Sequence, residues 1–405
     1  MNSTSAVVGE SVHLRDDAQV IGLVGLAHGI SHFSHLLLPP LFPIFMSEFG
    51  LSFSQLGLLV TLFFVISGSG QMLGGFVVDR VGARPVLFLS LICFALAAAC
   101  AATAQGYAGL LACAALAGLG NAPFHPVDYS ILNQRVSSPR LGYAFSAHAL
   151  SGNLGWALTP LWLVTWSGWF DWRVAYWAAV GLYATVFLVL YLNRQCLRTE
   201  VVVRSTQPDA EHELAFLRLP VVWWCFAYFF LSTMTLSVVQ SFGPSILTAV
   251  HGVDLKSASL TLTAYMLCSA SGVLLGGFVA AKMSAYSERV VAVAMASGAL
   301  ILLAVATGWA GALGSMMLLA ATGLAIGVGG PSRDMMIKKA TPRGATGRVY
   351  GTVYSGLDVG FAVSPLLFGV LMDRGWFQLT LSGAAMILMF SVGAALMVGR
   401  LTKAR

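Results

Sequence analysis

Charged side chains are scarce in this chain. Asp, Glu, Lys and Arg make up 9% of its 405 residues, whereas hydrophobic residues make up 58%. Soluble domains carry about 25% charged residues. The few polar residues could not cover the apolar surface of a soluble fold of this size, so the composition predicts a protein surrounded by lipid.

Motifs of several other protein classes are missing as well. The six cysteines have no CxxC or CxH spacing, which argues against disulfides and against a zinc site. No nucleotide-binding sequence of the form GxxxxGKS or GxxxxGKT occurs, and no pattern pairs a nucleophile with a base. The net charge of +6 comes from short loops between apolar runs rather than from one basic patch. We therefore predict no enzyme, no nucleic-acid partner, no metal and no other cofactor.

Long apolar runs fill most of the sequence. A run of about 20 apolar residues can cross a bilayer, and it must be helical because lipid offers the backbone no hydrogen-bond partners. The N-terminal residues lack the basic segment and short apolar core of a removable signal peptide. We predict an all-α membrane protein with twelve transmembrane helices at about 18–45, 54–78, 85–104, 107–134, 141–166, 173–193, 219–250, 257–282, 289–309, 312–337, 347–371 and 377–400.

The sequence repeats itself half a chain apart. The segment GGFVVDR at 74–80 reappears as GGFVAAK at 276–282. Two halves that run in the same direction are related by a pseudo-two-fold axis along the membrane normal. The predicted organisation is a tail (1–17), a six-helix bundle (18–193), a linker (194–218), a second six-helix bundle (219–400) and a C-terminal tail (401–405).

Basic residues indicate the orientation of the helices. Most Lys and Arg residues fall in loops on the side of the two termini. Such loops lie in the cytoplasm under the positive-inside rule. We therefore expect a multi-pass protein of the inner (plasma) membrane with both termini in the cytoplasm.

One loop carries a recognisable signature, and shorter motifs accompany it. Between the second and third predicted helices, glycine, acidic and basic residues stand at Gly75, Asp79, Arg80, Gly82 and Arg84. This spacing resembles the loop signature of the major facilitator superfamily. The segments 38–43, 48–52, 124–126 and 152–160 resemble the fosmidomycin-resistance-like branch of that superfamily. The resemblance implies two bundles that rock about a central cavity, a small-molecule substrate and a conformational role for the loop.

The loop residues also have a physical role of their own. Gly75 and Gly82 allow helix ends and a tight turn to pack closely. Asp79 lies where a helix N-terminus or an arginine can neutralise it, and Arg80 and Arg84 can bind neighbouring helices or anionic lipid. We expect none of these residues to contact the substrate.

Three histidines share one face of the first predicted helix. His28, His32 and His35 lie within about 60° of one another on a helical wheel. Histidine titrates near pH 6.5, so these residues are candidates for a proton or substrate-anion site. The alternative is that neutral imidazoles bond to neighbouring helices. Their separation in sequence from any cysteine or carboxylate gives no argument for a metal.

Further polar residues lie inside the predicted spans. Ionisable groups there cost about 2.5–3.5 kcal/mol at the helix centre, so each one is a functional candidate. Asp358 stands near the middle of its span and is the best single candidate for a proton site. The other candidates for the substrate or proton pathway are His125, His148, Gln240 and Tyr354.

The repeat also suggests a gate. In the alignment of the two halves, Asp128 occupies the position that Arg333 occupies in the second half. We hypothesise that these opposite charges pair when the cytoplasmic side is closed, and that Asp334 holds Arg333 when it is open. The alternative is that each charge faces water without mutual contact.

These observations together predict a secondary active transporter for a small organic solute. We expect coupling to protons, with export as one possible direction. The open alternatives are a passive uniporter, an organic-anion importer, or a membrane sensor or assembly protein that keeps the fold without transport. We expect lipid as its surroundings and a functional monomer.

Overall fold

The computed structural model describes residues 14–200, 215–341 and 346–403. The tail residues 1–13 and 404–405 and the linker residues 201–214 of the predicted organisation lie outside this part of the chain. The first half contains α1 (Leu14–His35), α2 (Phe42–Phe49), α3 (Phe53–Val81), α4 (Ala83–Ala102), α5 (Tyr107–Asn121), α6 (Phe124–Arg135), α7 (Leu141–Trp169) and α8 (Trp172–Leu192). The second half contains α9 (Pro220–His251), α10 (Leu255–Lys282), α11 (Ser287–Thr307), α12 (Gly311–Ala340), α13 (Thr346–Asp373) and α14 (Phe377–Lys403).

The prediction of an all-helical membrane protein is confirmed. Eleven segments of the described residues are long and apolar enough to cross a membrane. The helix α7, with 29 residues, is the twelfth. Its length of about 43 Å suffices for a bilayer. Within this length its apolar residues alternate with tryptophans, glycines and serines and with Asn153 and His148.

Two predicted spans are interrupted rather than continuous. In the first, α1 ends at His35 and α2 begins at Phe42, with Pro39 and Pro40 in a short 3₁₀ turn between them. Proline has no N–H to donate and clashes with the preceding turn, so the α-helix cannot continue through this pair.

The fourth span breaks between α5 and α6, at Ala122 and Pro123. Pro126 therefore lies in the first turn of α6, where a missing N–H leaves no helical bond unmade.

The two halves contact each other at the end of the bundle opposite the termini, which we call the distal end. There the carboxylate of Asp373, at the end of α13, accepts hydrogen bonds from the backbone N–H groups of Phe53 (2.6 Å) and Ser54 (3.1 Å) at the start of α3. The side chain of Ser54 donates to the same carboxylate. The other hydrogen bonds between the halves, among the described residues, join Thr61 to Ala362 and Thr263 to Ala157. All of these contacts lie in the distal half of the bundle.

Candidate functional site

Five histidines from three helices of the first half form one group. His28, His32 and His35 lie on α1, His125 on α6 and His148 on α7, and we call them the histidine cluster. The ring centroids of His28 and His148 are 3.5 Å apart, those of His28 and His32 are 4.4 Å apart, and those of His32 and His35 are 4.7 Å apart. The three histidines of α1 therefore form a row along one face of the helix, as their spacing indicates.

Asp128 lies at the centre of the cluster. Its Oδ2 atom is 3.0 Å from Nδ1 of His28 and 3.0 Å from Nε2 of His148. The side chain of Asp128 is 0% exposed, and His28 and His148 are buried as well. An ionised carboxylate only accepts hydrogen bonds, so both imidazoles donate to it when it carries its charge. This arrangement stabilises a buried charge that lipid alone would not tolerate.

Glycines of α7 allow this close approach to α1. A Cβ atom on Gly152 would lie 2.7 Å from Cε1 of His32 and 3.0 Å from Nε2 of His28. A Cβ atom on Gly155 would collide with the backbone carbonyl of Gly29. The small residues of α7 thus form a close-packing stripe, which is the first interpretation that their spacing supports.

One end of the histidine row is held by uncharged partners. Nε2 of His35 is 3.0 Å from Oδ1 of Asn121, and the indole N–H of Trp156 donates to Nδ1 of His35 at 3.3 Å. The amide of Asn121 also donates to Ser67 at 2.7 Å. Sequence reasoning missed Asn121 and Trp156, although an asparagine within the apolar run 107–134 was a usable signal.

His125 is oriented from a different helix. Its Nδ1 atom is 3.0 Å from Oε1 of Gln71 on α3, so this nitrogen carries the hydrogen and donates. The other ring nitrogen then presents a lone pair when the imidazole is neutral. His125 and His32 are partly exposed, whereas His28 and His148 are buried. The cluster is therefore least buried along the edge formed by His125 and His32.

A second polar group lies in the other half. Nε of Arg333 donates to Oδ1 of Asp334 at 2.9 Å, and the hydroxyl of Tyr354 donates to the same oxygen at 3.3 Å. The guanidinium of Arg333 also stands 5.0 Å above the ring of Phe229. The side chain of Arg333 is 31% exposed, so its cation is fixed in place and accessible.

Asp128 and Arg333 do not pair in this structure. Asp128 bonds to the histidines, and Arg333 bonds to Asp334. The fold therefore places Asp128 inside the first half, not on a surface that faces Arg333. Their pairing in a state with the opposite end closed stays a prediction.

The remaining pathway candidates lie apart from both groups. Asp358 of α13 stands against Gly68 of α3, where a Cβ atom on the glycine would be 3.0 Å from Cβ of the aspartate. It therefore lies at the junction of the two halves. Gln240 is buried, and its side-chain amide donates to the sulfur of Met266 at 3.8 Å. The predicted pathway residues thus occupy several places rather than one site.

The signature loop forms a tight connection between α3 and α4. Gly82 has a φ of +84°, a conformation that glycine adopts without strain. A Cβ atom on Gly75 would meet nothing within 4 Å, whereas one on Gly74 would lie 2.9 Å from Cα of Pro123. The tight turn predicted at Gly82 is thus present, whereas the prediction of close packing at Gly75 is wrong, because Gly74 makes that contact instead. Asp79 is exposed. Arg80 and Arg84 complete the loop, and the conformational role of all three charges stays a prediction.

The fold also assembles donors that could hold a metal ion. Donor atoms of His28, Asp128 and His148 all lie within 4.8 Å of one another, and so do donor atoms of His28, His32 and His125. Sequence separation gave no argument for such a site, because Asp128 follows His28 by 100 residues. In the fold α1 contacts α6, so the two residues are neighbours in space.

Comparisons with known proteins agree with this architecture. The model of the Major Facilitator Superfamily matches residues 24–331. The hexuronate transporter of Bacillus subtilis is 24% identical over 396 residues, which cover 92% of this chain and 91% of that protein. The fosmidomycin resistance protein of Escherichia coli is 26% identical over 275 residues, which cover 65% of each chain.

Solved structures show the same fold. A bacterial homologue of the human lysosomal transporter Spinster, in an inward-facing and unoccupied conformation, has a TM-score of 0.76 at 14% identity. The match covers 96% of this chain and 97% of that one. The family model spans most of the sequence, and the helices follow the same overall arrangement. The chain therefore belongs to the major facilitator superfamily, whose members are transporters and not enzymes.

Proposed function

We propose that this chain is a secondary active transporter that carries a small organic anion across the inner membrane by alternating access, coupled to protons. The observation that carries the coupling is the position of Asp358. This carboxylate lies where α13 of one half meets Gly68 of the other, and it has no hydrogen-bond or ion-pair partner among the described residues.

A carboxylate in this position responds to movement of the halves. A charge at the centre of a transmembrane helix costs about 2.5–3.5 kcal/mol, and protonation removes that charge. When the halves close around Asp358, a bound proton offsets the cost of enclosing it. When they separate, water can solvate the ionised form. Proton binding and the conformational change are thereby linked.

The contacts between the halves fit one stage of such a cycle. Hydrogen bonds hold the halves together in the distal half of the bundle, through Asp373, Thr61 and Thr263. Rocking the halves about their junction would exchange these contacts for contacts at the end that carries the termini. The whole pathway lies within one chain, so we propose that a monomer in lipid suffices.

Arg333 supports an anionic substrate. Its Nε–H bonds to Asp334, its guanidinium rests over Phe229, and the side chain remains partly exposed. A guanidinium held in this way offers two further N–H edges that match a carboxylate or sulfonate. The relative from Bacillus subtilis is named for hexuronates, which are organic anions.

Reconstituted protein tests the proposal. We would measure counterflow and pH-driven accumulation in liposomes, with glucuronate and sulfoacetate as first probes. Asp358→Asn should abolish accumulation under a pH gradient and keep counterflow, because exchange of bound solute needs no net proton movement. The direction of the gradient that drives accumulation distinguishes symport from antiport.

A matched control is Asp254→Asn. Asp254 is exposed at the start of α10, where its side chain accepts a bond from the Ser257 N–H at 3.0 Å, and asparagine caps helices equally well. This control should transport like the unmodified protein. Normal accumulation by Asp358→Asn would refute the coupling role. Exchange without any proton flux would favour the uniporter, and no exchange with a broad panel of anions would favour the sensor.

A further inference from the structure

The core of the histidine cluster brings three good metal ligands together in a dry place. Oδ2 of Asp128 is 3.0 Å from Nδ1 of His28 and from Nε2 of His148. The three side chains come from α6, α1 and α7, and they are 0%, 3% and 5% exposed. Buried carboxylates and imidazoles in such numbers are costly in a membrane unless a partner stabilises them.

Hydrogen bonds within the cluster leave two buried atoms without a partner. These are Oδ1 of Asp128 and Nδ1 of His32. A buried polar atom that lacks a hydrogen bond costs about 1–3 kcal/mol. Asp128 belongs to the donor group with His28 and His148, so an ion bound there could satisfy its Oδ1 atom.

The donor spacing suits a metal ion. Zinc bonds to imidazole nitrogen at about 2.0–2.1 Å and to carboxylate oxygen at about 2.0–2.2 Å, so tetrahedral donors stand about 3.3–3.5 Å apart. The observed separations of 3.0 Å around Asp128 need only a few tenths of an ångström of expansion. The donor atoms of His28 and His148 lie within 4.8 Å of each other, so side-chain adjustments would bring all three donors onto one cation.

A hydrogen bond from a neighbouring helix orients another histidine of the cluster. The bond between Nδ1 of His125 and Oε1 of Gln71, at 3.0 Å, directs the other ring nitrogen of His125 away as a free lone pair. Metal-binding histidines are commonly oriented by such a bond on the second nitrogen. His35 is different, because both of its nitrogens already have partners in Asn121 and Trp156.

From these observations we propose that the histidine cluster binds one divalent transition-metal ion of the zinc class. His28, Asp128 and His148 supply the protein ligands, and water completes the set, while His32 and His125 form with His28 a second, overlapping donor group. Imidazole ligands favour Zn²⁺, Co²⁺ and Ni²⁺, whereas Mg²⁺ and Ca²⁺ prefer oxygen ligands. The proposal concerns binding alone and stands whether or not the protein couples transport to protons.

The test uses the full chain, purified in detergent without a polyhistidine tag. Equilibrium dialysis against Zn²⁺ should show one ion bound per chain, and millimolar Mg²⁺ should not displace it. Asp128→Asn, His28→Gln and His148→Gln should each weaken Zn²⁺ binding by at least about 100-fold, since even residues that only support ligands contribute 10–100-fold. His251→Gln, at the distal end of α9, should bind like the unmodified protein.

His35→Gln is the control within the cluster. It should bind Zn²⁺ like the unmodified protein, because neither nitrogen of His35 is available as a ligand. Equal losses in His35→Gln and His28→Gln would indicate general disruption and would overturn the ligand assignment.

A second measurement uses only the unmodified protein, so it remains informative if a variant misfolds. Saturating Zn²⁺ should raise the melting temperature of the unmodified protein in detergent, because an ion that binds only the folded state stabilises it, whereas millimolar Mg²⁺ should leave it unchanged. Failure of the unmodified protein to bind Zn²⁺ in dialysis, or an unchanged melting temperature at saturating Zn²⁺, would overturn the proposal.

Discussion

Asp373 should stabilise the state in which the distal end is closed. From the second half, its carboxylate accepts hydrogen bonds from the first two N–H groups of α3, which belongs to the first half. The third N–H group, that of Gln55, donates to the side chain of Ser52 within the first half. These N–H groups have no partner within the helix, and the helix dipole favours a negative charge beside them. The contact exists only while the halves are together, so its loss acts on the conformational equilibrium.

The size of the effect follows from the bonds that are lost. Asp373→Asn removes the charge and one acceptor oxygen and keeps the shape of the side chain. A hydrogen bond to a charged group contributes about 1.5–3 kcal/mol, and partial exposure lowers this, so we expect a loss of about 1–2 kcal/mol. That is about 5–30-fold in the ratio of closed to open molecules. A distal end that is open in about 1% of molecules would then be open in about 5–20%.

Spin labels can measure this population. Gln105 is exposed in a distal loop of the first half, and Lys256 is exposed in the first turn of α10, at the distal end of the second half. Cysteines at these two positions can be labelled once the natural cysteines are replaced. Electron–electron double resonance should show a larger long-distance fraction in Asp373→Asn. The control is Asp171→Asn, since Asp171 caps only α8 of its own half through the Arg173 N–H. An unchanged distance distribution in Asp373→Asn, or the same shift in Asp171→Asn, would refute the reasoning.

Three further predictions address the loop, the gate and the packing of α7. Asp79→Asn should lower the transport rate at least about tenfold and leave substrate binding intact, as comparison of uptake with equilibrium binding would show; equal loss of both contradicts a conformational role. Asp128→Arg and Arg333→Asp should each be inactive while the double variant regains transport, and a double variant as inactive as the single ones ends the pairing hypothesis. Gly155→Ala should lower thermal stability by about 1–3 kcal/mol because its Cβ collides with Gly29, whereas Gly142→Ala, with open space around it, should be neutral or stabilising; similar melting temperatures for the two variants would count against the packing argument.

Hydropathy and charge were sufficient to predict the fold. Lipid permits only helices for such apolar runs, so the number of spans and their approximate bounds followed from length and composition. The breaks at Pro39 and Pro123 were missed because hydropathy does not register where a helix within a span is interrupted. Both breaks depend on proline, and the prolines were visible in the sequence.

The site was only partly predictable. The shared face of His28, His32 and His35 followed from helical periodicity. The contact of His28 with Asp128 did not, because it depends on which faces of α1 and α6 meet, and no local pattern encodes that. The internal repeat suggested Arg333 as the partner of Asp128, yet matching positions in two halves need not be neighbours in every conformation.

The distribution of polar groups in the first half has a consequence for membrane insertion. The cluster collects side chains from α1, α6 and α7, and its contacts are complete only when all three helices are present. The chain is synthesised from its N-terminus, so His28 enters the membrane long before Asp128 and His148 can reach it. Until then each polar group lacks its final partner, which makes the earlier helices less stable in lipid. The first half is thus expected to become stably inserted only when α7 arrives, so that biosynthetic intermediates truncated before α7 should be recognised by membrane quality control.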